Sequence, residues 1–410
     1  MLNLEKNLEK YAELAVKVGI NLKENEGLII TGNTDTLPLA RKIMKVAYSI
    51  GAKHVEFQLV DDEMSLIRYE YGKDFVFESF PQFKVDSLEA MYKDNYHHIS
   101  IIAPNPELLK DVDSEIVAKS QKSASLAMEQ VRHYQMTGKT KWNIIAFPSK
   151  EWAKSVFPDL DEASAVNMLW KYIFEATRVD QDDPITAWTM HDKTLKKYRD
   201  LLNEKQFDKL VLKGPGTDLE VYLAEDHLWM GGSKASQAGD SYVANIPTEE
   251  VFTTPHRLKV NGTLKATKPL SLNGKLVEDF EFVFKEGKVV DFKAKKGYEV
   301  LDKLFANDEG ARYLGEIALV PHDSPISNTG ILFNNTLFDE NASVHVAFGK
   351  AYNYAMKNGS NMTPSELGEK GANSSLIHVD FMVGGPELDI TAFEKDGTEV
   401  QLFRKGNWVF

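Results

Sequence analysis

No cysteine occurs anywhere in the 410 residues. Disulfides, a thiol nucleophile and a thiolate zinc site are therefore excluded, and any metal must be held by imidazole or oxygen donors. Long apolar runs are missing as well: no stretch approaches the roughly 20 residues that span a bilayer. The opening stretch MLNLEKNLEKYAELAVKVGI carries charges every few residues and does not read as a secretory signal. The expected address is cytoplasmic, with no membrane partner. Positive charge is in deficit, with 48 Lys and Arg against 61 Asp and Glu, a net charge of −13. Such a surface repels phosphate backbones, so no nucleic acid is expected as a partner. Two nucleotide signatures are absent too. The segment 32–38 reads GNTDTLP, without the glycine fingerprint of a dinucleotide site, and there is no P-loop.

What is present is an ordinary globular composition, 43% hydrophobic and 27% charged, on a chain long enough for two domains with a core each. The first half alternates helix and strand signals. Leu4, Leu8, Tyr11, Ala15 and Val18 share a helical face. Strands are expected over 27–32, 52–60, 99–103 and 142–147, with helices over 38–51, capped by Asp35 or Thr36, and in 106–132. This rhythm predicts an α/β domain over 1–200 with a mainly parallel sheet. Its expected role is structural, as a cleft wall or an assembly surface.

Helical patterns continue over 163–178 and 193–206, and then the texture changes. Segments 209–213 and 218–223 alternate at period two, 280–294 reads as a hairpin about Glu286-Gly287, and 388–410 as short strands about Asp396-Gly397. An α+β, β-rich domain is expected over 201–410.

Four pieces of that second half concentrate groups able to carry chemistry. NIPTEEVFTTPHR, 245–257, reads as a rigid loop presenting one of its paired glutamates inward. In GARYLGEIALVP, 310–321, Glu316 precedes an apolar run, where a carboxylate is costly unless paired with Arg312 or bound to metal. In the third piece, 334–352, the stretch after Ala342 reads as a helix with His345 and Tyr352 on one face, and Glu340 just before it. In the fourth, His378 and Asp380 sit two apart on an expected strand and so share a face. A mixture of carboxylates and imidazoles suits zinc, cobalt or manganese better than calcium. His256 and His322 read as structural hydrogen-bonding residues first, with contact to substrate as the alternative for either.

These pieces together resemble the M29 family of metallo-aminopeptidases, the aminopeptidase T, aminopeptidase S and PepS group. The resemblance runs through nearly the whole chain. It includes Tyr11–Gly19 and Ala47–Phe57, and is most specific in 245–257, 310–327, 332–352 and His378-Val-Asp380. It implies an exopeptidase of leucyl or arginyl type acting on peptides with a free N-terminus, usually a homodimer. It implies two divalent metal ions per chain, zinc, cobalt, manganese or magnesium. The family's ligands fall on Glu250, Glu316, Glu340, His345, His378 and Asp380, and its catalytic tyrosine on Tyr352. Two rival readings stand beside it: a metal-dependent amidohydrolase of a non-peptide amide, and a non-catalytic small-ligand binding protein.

Overall fold

A computed structural model describes residues 3–272 and 275–410; the first two residues of the opening stretch read above lie outside it. Two contact-dense units emerge, one of residues 1–190 with 233–247, the other of 191–232 with 248–410. Position 200, where the sequence changes texture, falls inside the helix Pro184–Lys205.

The first unit is built on β1 (Gly27–Gly32), β2 (His54–Leu59), β3 (Tyr96–Ile102) and β4 (Trp142–Ala146), in the order β2-β1-β3-β4. Every pairing is parallel. Leu28, Ile29 and Ile30 of β1 are fully buried, the continuous apolar run that a central parallel strand requires. The helix Leu37–Ile50 ends at Gly51 as expected, but its entry differs: Asn33 caps a short 3-10 turn, Thr34–Thr36, by accepting from the Thr36 amide. The expected helix in 106–132 is two, Ser114–Ala127 and Glu129–Met136. The helical patterns expected between the second and third strands are the helices Asp62–Tyr71 and Gln82–Lys93; the first buries no residue, so no apolar stripe marks its bounds.

One polar cluster lies within this unit. Lys141, 1% exposed, donates from Nζ to Glu26 Oε2 at 2.7 Å. His97 Nε2 lies 3.1 Å from Glu26 Oε1, and His97 Nδ1 accepts from the Lys141 amide. Burial alone would raise the Glu26 pKa; the bonds to His97 and Lys141 overcome this and hold it down to about 2. A carboxyl held low contributes stability that is complete above the free-glutamate value and lost as pH falls toward 2. Lys141→Met should therefore cost about 3–5 kcal/mol at neutral pH, because Glu26 loses its cation while remaining buried. Adding Glu26→Gln should recover much of that, read as denaturation midpoints. Equal midpoints for wild type and Lys141→Met would refute this account.

The second unit contains β5 (Lys209–Gly214), β6 (Thr217–Leu223) and β7 (Met230–Gly231); the small pair β8 (Lys234–Ala235) and β9 (Ser241–Tyr242) belongs to the first unit. Next come β10 (Val251–Thr253), β11 (Pro255–Lys265), β12 (Leu270–Leu272), β13 (Lys275–Lys285) and β14 (Lys288–Lys296). The remaining strands are β15 (Leu314–Leu319), β16 (His345–Gly349), β17 (His378–Met382), β18 (Asp389–Phe393), β19 (Glu399–Arg404) and β20 (Asn407–Trp408). The hairpin expected about Glu286-Gly287 is β13–β14. Strands β17-β16-β15-β10-β7 form one antiparallel sheet. A nine-stranded sheet runs β12-β13-β11-β6-β5-β18-β19-β20, with β14 on β13. The two sheets share one core: Phe282 meets Phe348 at 4.9 Å between ring centroids and Phe381 at 5.2 Å.

Candidate metal centre

The five-stranded sheet has one greasy face and one polar face. Val251, Ile317, Leu319, Val346, Phe348 and Phe381 enter the shared core. Alternation then sends their neighbours to the other side. Cross-strand pairing confirms the face: Phe252 opposes Ala318, Ala318 opposes His345, and His345 opposes Met382. In the next row Glu316 opposes Ala347, and Ala347 opposes Asp380. His378 opposes Gly349, and Glu250 precedes β10 two residues from Phe252.

Strict alternation along β15 would not put Glu316 there. Leu314 opposes Phe348 on the core side, so an unbroken ladder would place Glu316 opposite Val346, also in the core. The register instead shifts between Leu314 and Glu316, and Glu316 pairs with Ala347. This β-bulge turns the carboxylate onto the polar face. It depends on Gly315, where a Cβ would lie 2.4 Å from the Gly349 carbonyl oxygen.

Two sets of ligating atoms result, each set within 4.8 Å: Glu250, Glu316 and His345, and Glu316, His378 and Asp380. Glu316 is common to both. His345 Nε2 lies 3.3 Å from Glu250 Oε2 and 3.6 Å from Glu316 Oε1; His378 Nε2 lies 3.4 Å from Asp380 Oδ1 and 3.8 Å from Glu316 Oε2. Each imidazole is oriented from behind by a backbone carbonyl, which can only accept. His345 Nδ1 donates to Ser343 O at 3.2 Å, and His378 Nδ1 to Lys350 O at 2.7 Å. Both rings therefore present Nε2 to the carboxylates, the arrangement that fixes a metal-binding tautomer. With carboxylate oxygens and imidazole nitrogens as its only donors, the set fits a divalent transition metal.

The electrostatics reflect the crowding. Burial raises Glu316, His345 draws it back, and Asp380 and Glu250 raise it again, to about 7. His345 is pushed well up: burial opposes the charged ring, but Glu250 and Glu316 more than offset that. Against the same opposition from burial, Asp380 and Glu316 bring His378 up to about 9. Glu340 belongs to neither set, yet is raised well above its ordinary value by burial and then by Glu250 and Asp380. Glu249, the other half of the glutamate pair, turns away: its Oε2 lies 3.5 Å from His191 Nε2, and its amide donates to Asn341 Oδ1.

Several expectations change here. Residues 345–349 are a strand, not a helix, so His345 and Tyr352 do not share a helical face. All five strand residues are buried because both faces are covered, and the period-two signal disappears. Tyr352 lies beyond the strand, in a loop, and comes back with its ring 4.6 Å from His378 and stacked 5.2 Å from Tyr354. Burial first, then Glu316, raises its hydroxyl pKa and keeps it protonated. Glu316 is not paired with Arg312, whose guanidinium lies over the Phe305 ring. The segment 245–257 holds strand β10 and the start of β11 rather than only a loop. His256 Nδ1 accepts from the Leu258 amide and His322 Nδ1 lies 3.2 Å from Ser327 Oγ, local bonds both. The sequence reading missed Gly315, the small floor of Ala318 and Ala347, and Met382 in phase with His378 and Asp380; the last was available from the period-two count.

Known proteins carry the same plan. The profile of the thermophilic metalloprotease (M29) family matches residues 4–408. Aminopeptidase 2 of Geobacillus stearothermophilus is 46% identical over 406 residues, 99% of this chain and 98% of its own. Aminopeptidase AmpS of Bacillus subtilis (strain 168) is 42% identical over the full length of both. The solved structure of wild-type AmpT from Thermus thermophilus superposes with a TM-score of 0.93 at 39% identity, covering 99% of this chain and 100% of that one. This chain therefore belongs to the M29 family of metalloproteases, and with it to the proteins that depend on a bound divalent metal.

Proposed function

We propose that this chain is a metallo-aminopeptidase that removes the N-terminal residue from peptides with a free α-amino group. Its ligands would be Glu250, Glu316, His345, His378 and Asp380, holding two divalent ions with Glu316 shared. The observation that carries this reading is the pair of imidazoles, each locked from behind by a carbonyl and each facing the one central carboxylate. Zinc, cobalt and manganese suit the donors best, with magnesium the hardest of the candidates.

When bound, such ions supply Lewis acidity and lower the pKa of a coordinated water. The chain's own residues do the rest. The Tyr352 hydroxyl, kept protonated, donates to the oxyanion that develops on the scissile carbonyl. Glu340, buried beside Glu250 and Asp380, would serve as a further ligand, as the family resemblance implies, or as an outer carboxylate beside the attacking water. Ala318 and Ala347, both fully buried, keep the floor between the ligand side chains low enough for ions to sit there. The first unit holds none of these residues, and assembly, as a homodimer in the cytoplasm, is the role proposed for it.

Metal analysis and turnover on one preparation test this. Peptides with a free N-terminus should lose one residue at a time, a chelator should stop this, and added zinc, cobalt or manganese should restore it. N-acetylated peptides should be inert. Full activity without metal, or rapid internal cutting of blocked peptides, would overturn the reading. Turnover confined to non-peptide amides would favour an amidohydrolase; absence of both metal and turnover, a binding protein.

The floor gives a separate expectation. Ala347→Leu fills the space between Glu316 and Asp380, in neighbouring strands about 5 Å to either side. Metal content should fall far below wild type while the fold survives the overpacking, at a cost of about 1–3 kcal/mol. Wild-type metal stoichiometry in that variant would refute the role of the floor.

A further inference from the structure

His378, Asp380 and Met382 alternate along β17 and so point to one face. The first two belong to the candidate centre, and the third opposes His345 across the sheet. Met382 is 5% exposed, and its inner side borders a pocket of about 80 Å³. Leu270 and Leu332 form further apolar wall, and Glu340 and Asp380 stand in the same lining. A larger cavity of about 400 Å³ in this unit contains none of the candidate ligands in its wall. The smaller pocket touches the candidate centre directly, through Asp380 and Glu340.

An aminopeptidase substrate carries a side chain on the carbon between its free amine and its scissile carbonyl. When both of those groups reach the centre, that side chain must enter space continuous with the ligands. We propose that the pocket walled by Leu270, Leu332 and Met382 receives the side chain of the substrate's N-terminal residue, and that Met382 sets its size limit. The proposal rests on the aminopeptidase reading. The lining is mixed: Pro269, Leu270, Leu332 and Met382 offer apolar contact to a bound side chain, while Asp339, Glu340 and Asp380 repel an acidic one. Asp339 accepts from the Phe333 and Asn335 amides, one on each oxygen, which fixes its carboxylate in the lining.

The test is a series of amino-acyl anilides (alanyl, leucyl, phenylalanyl, glutamyl) on the metal-loaded protein, with metal content measured in parallel. Met382→Ala should raise the phenylalanyl-to-leucyl ratio of kcat/KM about tenfold, within the usual 10–200-fold worth of a methylene or more in such a pocket. Met382→Phe should lower the leucyl-to-alanyl ratio by a similar factor. Leu332→Ala, in the same lining, should move the ratios in the same direction as Met382→Ala. The glutamyl substrate should be the poorest throughout. Metal content should stay at the wild-type level, because no ligand is altered. Ratios constant within twofold across all three variants would overturn the proposal, as would selectivity that moves only with the second residue of a dipeptide series. Failure of the wild type to cleave any of these substrates would instead strike the aminopeptidase reading itself.

Discussion

Replacing Glu316 by Gln should empty both ligand sets at once. Its two oxygens face different imidazoles, at 3.6 Å from His345 and 3.8 Å from His378, and among the described residues it alone belongs to both sets. Activity should fall by far more than the 10–100-fold typical of losing a partner that merely orients a ligand. Glu250→Gln, which touches one set only, should leave part of the metal bound. Stability separates this from a folding defect. A metal that binds only the folded state adds about 2.7 kcal/mol when its free concentration is a hundred times Kd. Wild type should show that rise in Tm on metal addition, and Glu316→Gln should show none. The metal-free variant should unfold no earlier than metal-free wild type, because Gln has nearly the same shape and removes a buried carboxyl pushed up to about 7 by its surroundings. A variant that keeps the metal-induced rise in Tm would exclude Glu316 as the shared ligand.

Tyr352→Phe should act on the reaction and spare the metal. The substitution deletes a hydroxyl and keeps the ring that packs on Tyr354 and His378. If the hydroxyl stabilises the oxyanion, turnover should drop by roughly 10²–10³-fold, or about 2.7–4 kcal/mol of transition-state stabilisation. KM should change little, since the donor acts chiefly in the transition state. Metal stoichiometry and Tm should match wild type. Near-wild-type turnover would remove Tyr352 from the mechanism and leave the metal centre as it stands. Turnover and metal lost together would make the tyrosine a support for His378 instead.

The sequence alone determined a good deal. The absence of cysteine confined any metal to oxygen and imidazole donors, and the 245–380 region held enough of both to suggest a centre. The parallel sheet was legible from apolar runs separated by helices, and the β13–β14 hairpin from alternation about Glu286-Gly287. His378 and Asp380 were placed on one face by a local rule, because period two needs no knowledge of the rest of the fold.

Other parts had no local signal. Strand β16 is covered on both sides, so its residues are apolar in succession and mimic a helix. The seven-residue spacing of His345 and Tyr352 then fitted a helical face by coincidence. The chain in fact bends at Gly349, where φ is +99° and a Cβ would lie 2.2 Å from the Ile377 carbonyl oxygen, and the loop beyond carries Tyr352 back to His378. Which glutamate of the 249–250 pair turns inward was settled by contacts made far away in sequence, His191 and Asn341 for Glu249 and His345 for Glu250. Glu316 is the sharpest case. Its own strand would point it into a hydrophobic core, and only the bulge against β16 turns it to the opposite face. A bulge is a property of two paired strands, and the close approach of Gly315 to the Gly349 carbonyl exists only once those strands meet. Residue chemistry and strand period are written locally, whereas the face on which the central carboxylate emerges is decided by register, which only the assembled sheet defines.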